Sequence, residues 1–206
     1  MKKTFFNLSE KKQRKIINAC IREYAVNGYY KSSIDRIVKA AGISKGGIYE
    51  YIRSKEELFV YITENVYHEL YQYIQEQISL RKIILPDDIL DRFSLVAEIA
   101  FDFYMKNPNY IRFIVNNYHI KEISIEKKIT AIFQKNFYGI FGEINKNTLK
   151  FELESVMDML IWLLMKTRYN FLREVQSSSD AELIKKKYLE NWNFYISVLK
   201  TGIYRS

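Results

Sequence analysis

Residues that reverse the chain are scarce in this sequence, and this scarcity constrains the fold more than any other feature. The 206 residues include only 7 glycines and 2 prolines. Strand-rich folds need glycine and proline for their many turns, so a shortage of both favours long helices. Apolar residues recur at helical spacing along most of the chain. The sequence therefore predicts an all-α fold of about nine helices and no sheet.

A tight turn between two short helices is the most specific local pattern. Ser33 can cap a first helix, Gly42 can turn the chain, and Ser44 can cap a second helix. A capping box, Ser54-Lys-Glu-Glu57, then starts a third helix. Two short helices joined in this way have the form of a helix-turn-helix, in which the second helix enters the major groove of DNA.

Two adjacent glycines, Gly46 and Gly47, lie inside the second short helix. Each glycine inside a helix costs about 1 kcal/mol relative to alanine. A close approach of the backbone to a phosphate or a base edge would explain that cost. The alternative is a frayed helix start that makes no such contact.

The positive charge of the chain is concentrated near its N-terminal end. Residues 1–55 contain 13 Lys and Arg against 4 Asp and Glu, whereas the remaining residues contain 19 against 20. Residues 1–8 are expected to form a loose basic arm. A basic domain beside a neutral one suggests a polyanion partner for that domain alone. A solvated basic surface without a partner is the alternative.

Known catalytic signatures are missing from the sequence. It contains no H-E-x-x-H, no Cys-x-x-Cys, no phosphate-binding loop and no G-x-S-x-G. Glu64 and His68 lie one helical turn apart, but this spacing more often marks an exposed helix face than a metal site. We therefore predict no catalytic residue, no metal ion and no cofactor.

Several general features favour a cytoplasmic protein. Cys20 is the single cysteine, so no internal disulfide can form, and its apolar neighbours at helical spacing predict a small buried side chain. No apolar run reaches the roughly 18 residues that a membrane span needs, and the first residues do not read as a signal peptide. No membrane partner is expected.

The segment AAGISKGGIYEYIRSKEELF, preceded by Ser33-Ile34, Ile37-Val38 and NGYY, resembles the N-terminal domain of TetR-family repressors. The resemblance covers about residues 10–60. It is specific, because the turn glycine, the S-K-G, Tyr49 and the S-K-E-E-L occur together at fixed offsets. The rest of the chain shows no comparable match, although its helical pattern and its length are similar.

The resemblance implies two domains of unequal size. Residues 1–53 would form a three-helix DNA-binding domain with the helix-turn-helix, and residues 54–206 a larger helical domain for effector binding and dimerisation. In TetR-like proteins the last two helices of each subunit pair in a four-helix bundle. The apolar run 156–165 and the amphipathic last helix fit such a homodimer, which would read a pseudo-palindromic operator.

The resemblance also implies contacts to DNA, position by position. Ser33 would bind a phosphate through its hydroxyl or its backbone N–H. Lys45 would read a base, and Lys55 would hold a phosphate. Two tyrosine hydroxyls would bind further phosphates. The full set of predicted DNA contacts is Ser33, Ser44, Lys45, Gly46, Gly47, Tyr49, Tyr51 and Lys55.

Two positions depart from the family pattern. Gly47 stands where Thr or Asn is common, which removes one potential base contact. Glu50 stands where an aromatic residue or His is common. A salt bridge from Glu50 to Arg53 is favoured over a contact with cytosine. The DNA preference is therefore expected to differ from that of its relatives.

Aromatic residues make up 16% of the chain and are abundant in its middle helices. TetR-like proteins place a small-molecule pocket among such helices, so the resemblance implies a largely apolar cavity with a few polar groups. For any single aromatic residue, packing in the core is a better explanation than contact with a ligand. Asp158, inside an apolar run, is expected to be buried and ion-paired. The predicted ligand contacts are Phe101, Tyr104, Phe113, Asn116, Phe137 and Trp162.

The sequence thus predicts a ligand-responsive repressor that binds double-stranded operator DNA as a homodimer and is released by a small, largely apolar effector of unknown identity. The alternative is a DNA-binding regulator without a small-molecule effector, which is either controlled by a protein partner or constitutive. A cavity in the larger domain would count against the alternative, and a filled core would support it.

Overall fold

The described part of the protein is all helical, as the sequence predicts. The computed structural model describes residues 1–142 and 144–203, and within them it contains no strand. In the same residues, a 3₁₀ turn, Lys146–Thr148, accompanies the α-helices. These helices are α1 (Lys3–Phe6), α2 (Glu10–Lys31), α3 (Ile34–Ala41), α4 (Lys45–Tyr49), α5 (Lys55–Leu80), α6 (Ile89–Lys106), α7 (Pro108–Asn116), α8 (Ile123–Phe141), α9 (Leu153–Ser177) and α10 (Ala181–Ile203).

Among the helices of the described residues, α1 is the one that the sequence did not predict. Residues 1–8 were expected to be a loose basic arm, and that expectation is wrong. Phe5 is fully buried, with its ring 5.6 Å from that of Tyr61. Full burial of a phenylalanine side chain contributes about 1.5–3 kcal/mol. This burial explains why a segment rich in lysine is ordered.

The chain divides into two compact units. The first comprises residues 1–71 and 107–137, and the second comprises residues 72–106 and the residues from 138 onward. The helix-turn-helix thus shares a unit with α7 and most of α8. The boundary predicted after residue 53 divides DNA binding from effector binding, and it does not coincide with the division into compact units. It stays a prediction.

In the first unit, a break in α2 is sealed by α7. Gly28 has φ +62° and ψ 178°, which interrupts the helix. A break of this kind leaves carbonyl groups of the preceding turn without their helical partners. The Asn116 side chain donates to the Ala25 carbonyl at 2.6 Å, and Asn117 donates to that of Tyr24 at 3.1 Å. Asn116, the last residue of α7, and Asn117, which follows it, therefore hold α2 at its break.

Cys20 lies in the core of the first unit, as predicted. Its side chain is 0% exposed on the inner face of α2. Burial is the main cause that raises the pKa of its thiol far above the ordinary value. A thiol that stays protonated is a poor nucleophile, so this cysteine acts as a small apolar side chain.

The second unit is built around α6, α9 and α10. Trp192 is fully buried, with its ring 5.4 Å from Phe93 and 6.4 Å from Tyr188. Asp158, which was expected to be buried, is exposed on α9. Its apolar neighbours in sequence face the other side of the helix, so this carboxylate needs no partner in the core.

Within the described residues, none of the helices is both long and apolar enough to cross a membrane. No group of three or more His, Cys, Asp or Glu side chains in that same part of the chain is arranged to hold a metal ion.

Candidate nucleic-acid interface

The turn between α3 and α4 has the helix-turn-helix conformation. Gly42 has φ +65° and ψ 39°, in the left-handed region, and its N–H donates to the Lys39 carbonyl at 3.2 Å. Glycine adopts this conformation without steric cost. A Cβ at this position would also come within 2.9 Å of Lys15 Nζ. The turn predicted at Gly42 is confirmed.

The short helix α4 is anchored on its inner side and capped at its start. Ser44 Oγ accepts a hydrogen bond from the Gly47 N–H at 3.0 Å, which confirms the predicted cap. Ile48 and Ile52 are 0% and 1% exposed. The opposite face of α4 therefore points outward, and it carries Lys45 and Tyr49, both of which are exposed.

The two glycines of α4 have different surroundings. A Cβ on Gly46 would meet no protein atom within 4 Å, whereas a Cβ on Gly47 would lie 3.0 Å from Ser44 Oγ. A side chain at position 47 would crowd the Ser44 cap, which explains a glycine there without any contact to a partner. Nothing in the fold requires glycine at position 46, so its conformational cost is left for a partner to explain.

Lys45, the predicted base-reading residue, is held by an acidic neighbour. Its Nζ lies 2.9 Å from Asp35 Oδ1, and both side chains are more than 60% exposed. The hydrogen bond and the charge of Asp35 raise the pKa of the Lys45 ammonium. An exposed ion pair is weak and exchangeable, so DNA can compete for this ammonium. Sequence reasoning missed Asp35, because a contact across ten positions leaves no local signal.

The N-terminal segment holds the far end of α4. Lys2 donates from Nζ to the Tyr49 carbonyl at 2.6 Å and from its backbone N–H to the Tyr51 carbonyl at 2.8 Å. The Thr4 hydroxyl donates to the Glu50 carbonyl. The last carbonyls of a helix have no partner inside it, and here residues 2 and 4 supply the donors. The sequence did not predict this role.

Ser33 uses its backbone N–H inside the protein. That group donates to Glu23 Oε1 at 2.9 Å, and Arg36 Nη2 donates to the same oxygen at 2.6 Å. Burial alone would raise the pKa of the Glu23 carboxyl, but the hydrogen bonds from Arg36 and Ser33 lower it below its ordinary value. A phosphate contact by Ser33 stays a prediction, and the hydroxyl is the group left to make it.

Lys55 is also engaged within the fold. Its Nζ donates to the Ser32 carbonyl at 2.9 Å and lies 4.9 Å from the centre of the Tyr29 ring. Burial lowers the pKa of this ammonium. In this structure Lys55 ties the start of α5 to the end of α2. The predicted phosphate contact would require the side chain to leave these partners.

The predicted pairing of Glu50 with Arg53 is absent from the described residues. The Arg53 backbone N–H donates instead to Glu57 Oε2 at 2.7 Å, and the Glu57 N–H donates to Ser54 Oγ at 3.1 Å. The bond to Ser54 is that of the standard capping box. The Glu57 carboxylate binds the N–H of Arg53, one residue before the N-cap residue that it would bind in the standard motif. Glu50 stays exposed beside the outward face of α4.

Comparison with known proteins agrees with this geometry. A family model described as "Bacterial regulatory proteins, tetR family" matches residues 16–62, which include α3, α4 and the turn at Gly42. The chain therefore carries a TetR-family DNA-binding domain. It is therefore a DNA-binding transcriptional regulator, and the outward face of α4 is its candidate reading surface.

Known proteins that are similar to this chain cover between 42% and 87% of its length. The uncharacterized HTH-type transcriptional regulator YdgC of Bacillus subtilis is 23% identical over 162 residues, which are 78% of this chain and 80% of YdgC. The fatty acid metabolism regulator protein of Bacillus subtilis is 32% identical over 89 residues, 42% of this chain and 46% of that protein. FadR from Bacillus subtilis, solved in complex with stearoyl-CoA, has the same fold, with a TM-score of 0.66 at 21% identity over 87% of this chain and 96% of FadR.

The predicted ligand contacts lie in both units. In the second unit, Phe101 and Tyr104 meet around Phe171, at ring distances of 5.6 Å and 5.8 Å. In the first unit, Phe113 stacks on Phe59 at 5.8 Å. Asn116, also in the first unit, is engaged with α2 as described above. Their roles as ligand contacts stay predictions.

Two other predicted ligand contacts have different environments. Phe137 stacks on Phe133 at 5.2 Å in the first unit and is buried. Trp162, in contrast, is 63% exposed on α9. An exposed tryptophan does not line an interior cavity, so Trp162 is better assigned to an outer surface of the protein.

Replacing Gly46 by Ala should separate stability from DNA binding. Because a methyl group there meets no protein atom, α4 should gain about 1 kcal/mol from the loss of glycine. Thermal unfolding should therefore occur at an unchanged or higher temperature. Affinity for a selected operator duplex should fall at least about tenfold, since the methyl group would obstruct close approach.

Gly47 provides the matched control for this experiment. Replacing Gly47 by Ala should lower both stability and binding, because the methyl group crowds the Ser44 cap. If the Gly46 variant bound the operator as tightly as the parent protein, the outward face of α4 would not approach DNA.

Proposed function

We propose that this TetR-family protein is a ligand-responsive repressor, which binds a pseudo-palindromic operator as a dimer and is released by a largely apolar effector. The conformation of residues 33–55 supports the DNA-binding part most directly. The helix α4 is capped by Ser44 and fixed to the core by the buried Ile48 and Ile52. Its outward face carries Gly46 and the exposed Lys45. Such a protein acts where bacterial DNA is, in the cytoplasm.

The DNA contacts are proposed from the exposure of each group. Lys45 exchanges Asp35 for a guanine O6 or N7 acceptor. The Gly46 backbone approaches the groove, and the hydroxyls of Tyr49 and Tyr51 bind phosphates. Ser44 stays the helix cap and contacts DNA from the start of α4. The Ser33 hydroxyl completes the phosphate contacts, and Lys55 joins it once its ammonium leaves the Ser32 carbonyl and the Tyr29 ring.

An apolar face on the last two helices supports the dimer. Trp162 and Tyr169 lie seven residues apart on α9, and they are 63% and 50% exposed. On α10, Phe194 and Val198 lie one turn apart, and they are 63% and 53% exposed. Large apolar groups grouped on one face commonly mark a protein interface. Pairing α9 and α10 with a second copy would bury them in a four-helix bundle.

Glutamate at Trp162 and Phe194 should dissociate the dimer. A buried carboxylate without a partner is costly, so the double variant should sediment as a monomer at concentrations where the parent is dimeric. Operator affinity should fall about 100-fold or more, because the second half-site is no longer bound within the same complex.

Leu80 serves as the control for this substitution, since it is 76% exposed at the end of α5. Leu80→Glu should leave both the sedimenting mass of the dimer and the affinity for the operator unchanged. A double variant that remained dimeric would show that α9 and α10 do not form the interface.

The effector proposed here is a long-chain acyl thioester. Two relatives of this chain are a fatty acid metabolism regulator and a FadR solved with stearoyl-CoA. In the second unit, Phe101, Tyr104 and Phe171 form an apolar cluster that suits an acyl chain. The buried Arg168 donates to the Tyr104 hydroxyl at 2.8 Å. A guanidinium with several donors can orient a carbonyl oxygen of the effector.

Stearoyl-CoA should release the protein from its operator, whereas coenzyme A alone should not. Arg168→Gln should retain operator binding but need at least about tenfold more stearoyl-CoA for release, since each lost charged hydrogen bond costs about 1.5–3 kcal/mol. Gel-shift titration measures both. Arg173→Gln is the control, because Arg173 is exposed on the same helix.

If neither stearoyl-CoA nor stearate released the wild-type protein from its operator, the proposal of a long-chain acyl thioester as the effector would be wrong. A regulator that operates without a small-molecule effector would then become the better account, provided that metabolite extracts also failed to release it.

A further inference from the structure

A basic groove lies beside the helix-turn-helix and is not used by the contacts proposed above. It has a volume of about 350 Å³. No acidic residue lines it. The residues that line this basic groove are Lys11, Arg14, Lys15, Asn18, Ala19, Arg22 and Ala40.

We infer that the basic groove binds the phosphate backbone of the duplex that flanks the operator half-site. Four cations follow one face of α2 from Lys11 to Arg22. That segment of helix is about 16 Å long at 1.5 Å per residue. It is long enough to lie along several phosphates of one strand.

Three of these cations are available to an external anion. Arg14 pairs with Glu69 at 2.7 Å. Among the described residues, Lys11, Lys15 and Arg22 form no ion pair with a carboxylate, and all three are exposed. A concave surface with unpaired cations attracts a polyanion more strongly than scattered charges do.

The basic groove adjoins the candidate reading helix. Lys15 Nζ lies against the turn at Gly42, two residues before the cap of α4. The far wall includes Ala40 of α3, whose small side chain leaves room for a backbone. DNA held by α4 would therefore bring its own phosphates towards the groove. This continuity favours DNA over an acidic protein as the occupant.

The basic groove has this role only if the chain binds operator DNA as proposed above, and the experiment separates the two claims. A duplex selected by the protein from a random pool is prepared in two forms. One is trimmed to the protected core, and the other carries random flanks of roughly one helical turn or more on each side. Affinities for both forms are measured across a range of salt concentrations.

The test variant replaces Lys11, Lys15 and Arg22 together by Gln. The control variant makes the same change of charge at Lys127, Lys135 and Lys146, which are exposed elsewhere. A third variant, Lys11→Arg with Lys15→Arg and Arg22→Lys, keeps the charge. Thermal unfolding confirms that all three are folded.

The wild type should bind the flanked duplex about tenfold more tightly than the trimmed duplex at low salt. The Gln variant should lose that preference while its affinity for the trimmed duplex changes less than about twofold. Its salt slope on the flanked duplex should decrease by about 0.9 for each lost phosphate contact. The control and charge-preserving variants should behave as the wild type does.

Two outcomes would overturn the inference. The first is a wild type that shows no preference for flanks, and the second is a Gln variant that retains the wild-type preference. In either case the basic groove would be left for an acidic partner other than DNA or for solvent. Failure of the wild type to bind even the trimmed duplex would instead refute the proposed function.

Discussion

The burial of two isoleucines beneath α4 is the constraint on which the reading surface depends. A helix of five residues is not stable by itself, because nucleation costs more than so few hydrogen bonds return. Ile48 and Ile52 fix α4 to the core, Ser44 closes its start, and the segment from Lys2 to Phe5 holds its end. Only a helix fixed in this way can present Lys45 and Gly46 in a defined orientation.

Sequence reasoning predicted the features that depend on local pattern. The all-α class followed from helical spacing and from few turn residues. The turn at Gly42 and the Ser44 cap followed from residue types at short separations. The burial of Cys20 followed from the apolar face of α2. Each of these depends on neighbours within one or two turns, and such neighbours are visible in the sequence.

Contacts between distant residues could not be predicted in the same way. The order of residues 1–8 depends on the burial of Phe5 beside Tyr61. The engagement of Lys55 with Ser32 depends on how α2 and α5 pack. Asp158 and Trp162 were expected to be inside, because their neighbours in sequence are apolar. Both are exposed, since the apolar run covers only the inner face of α9.

Selection of bound duplexes from a random DNA pool shows whether two copies of α4 read DNA together. The wild-type protein should enrich a pseudo-palindrome with half-site centres about one helical turn (~34 Å) or a multiple of it apart. Lys45→Ala should weaken that enrichment at one position in each half-site. Recovery of no enriched sequence, or of the same sequence at equal strength by the Lys45 variant, would contradict the assignment of α4 as the reading helix.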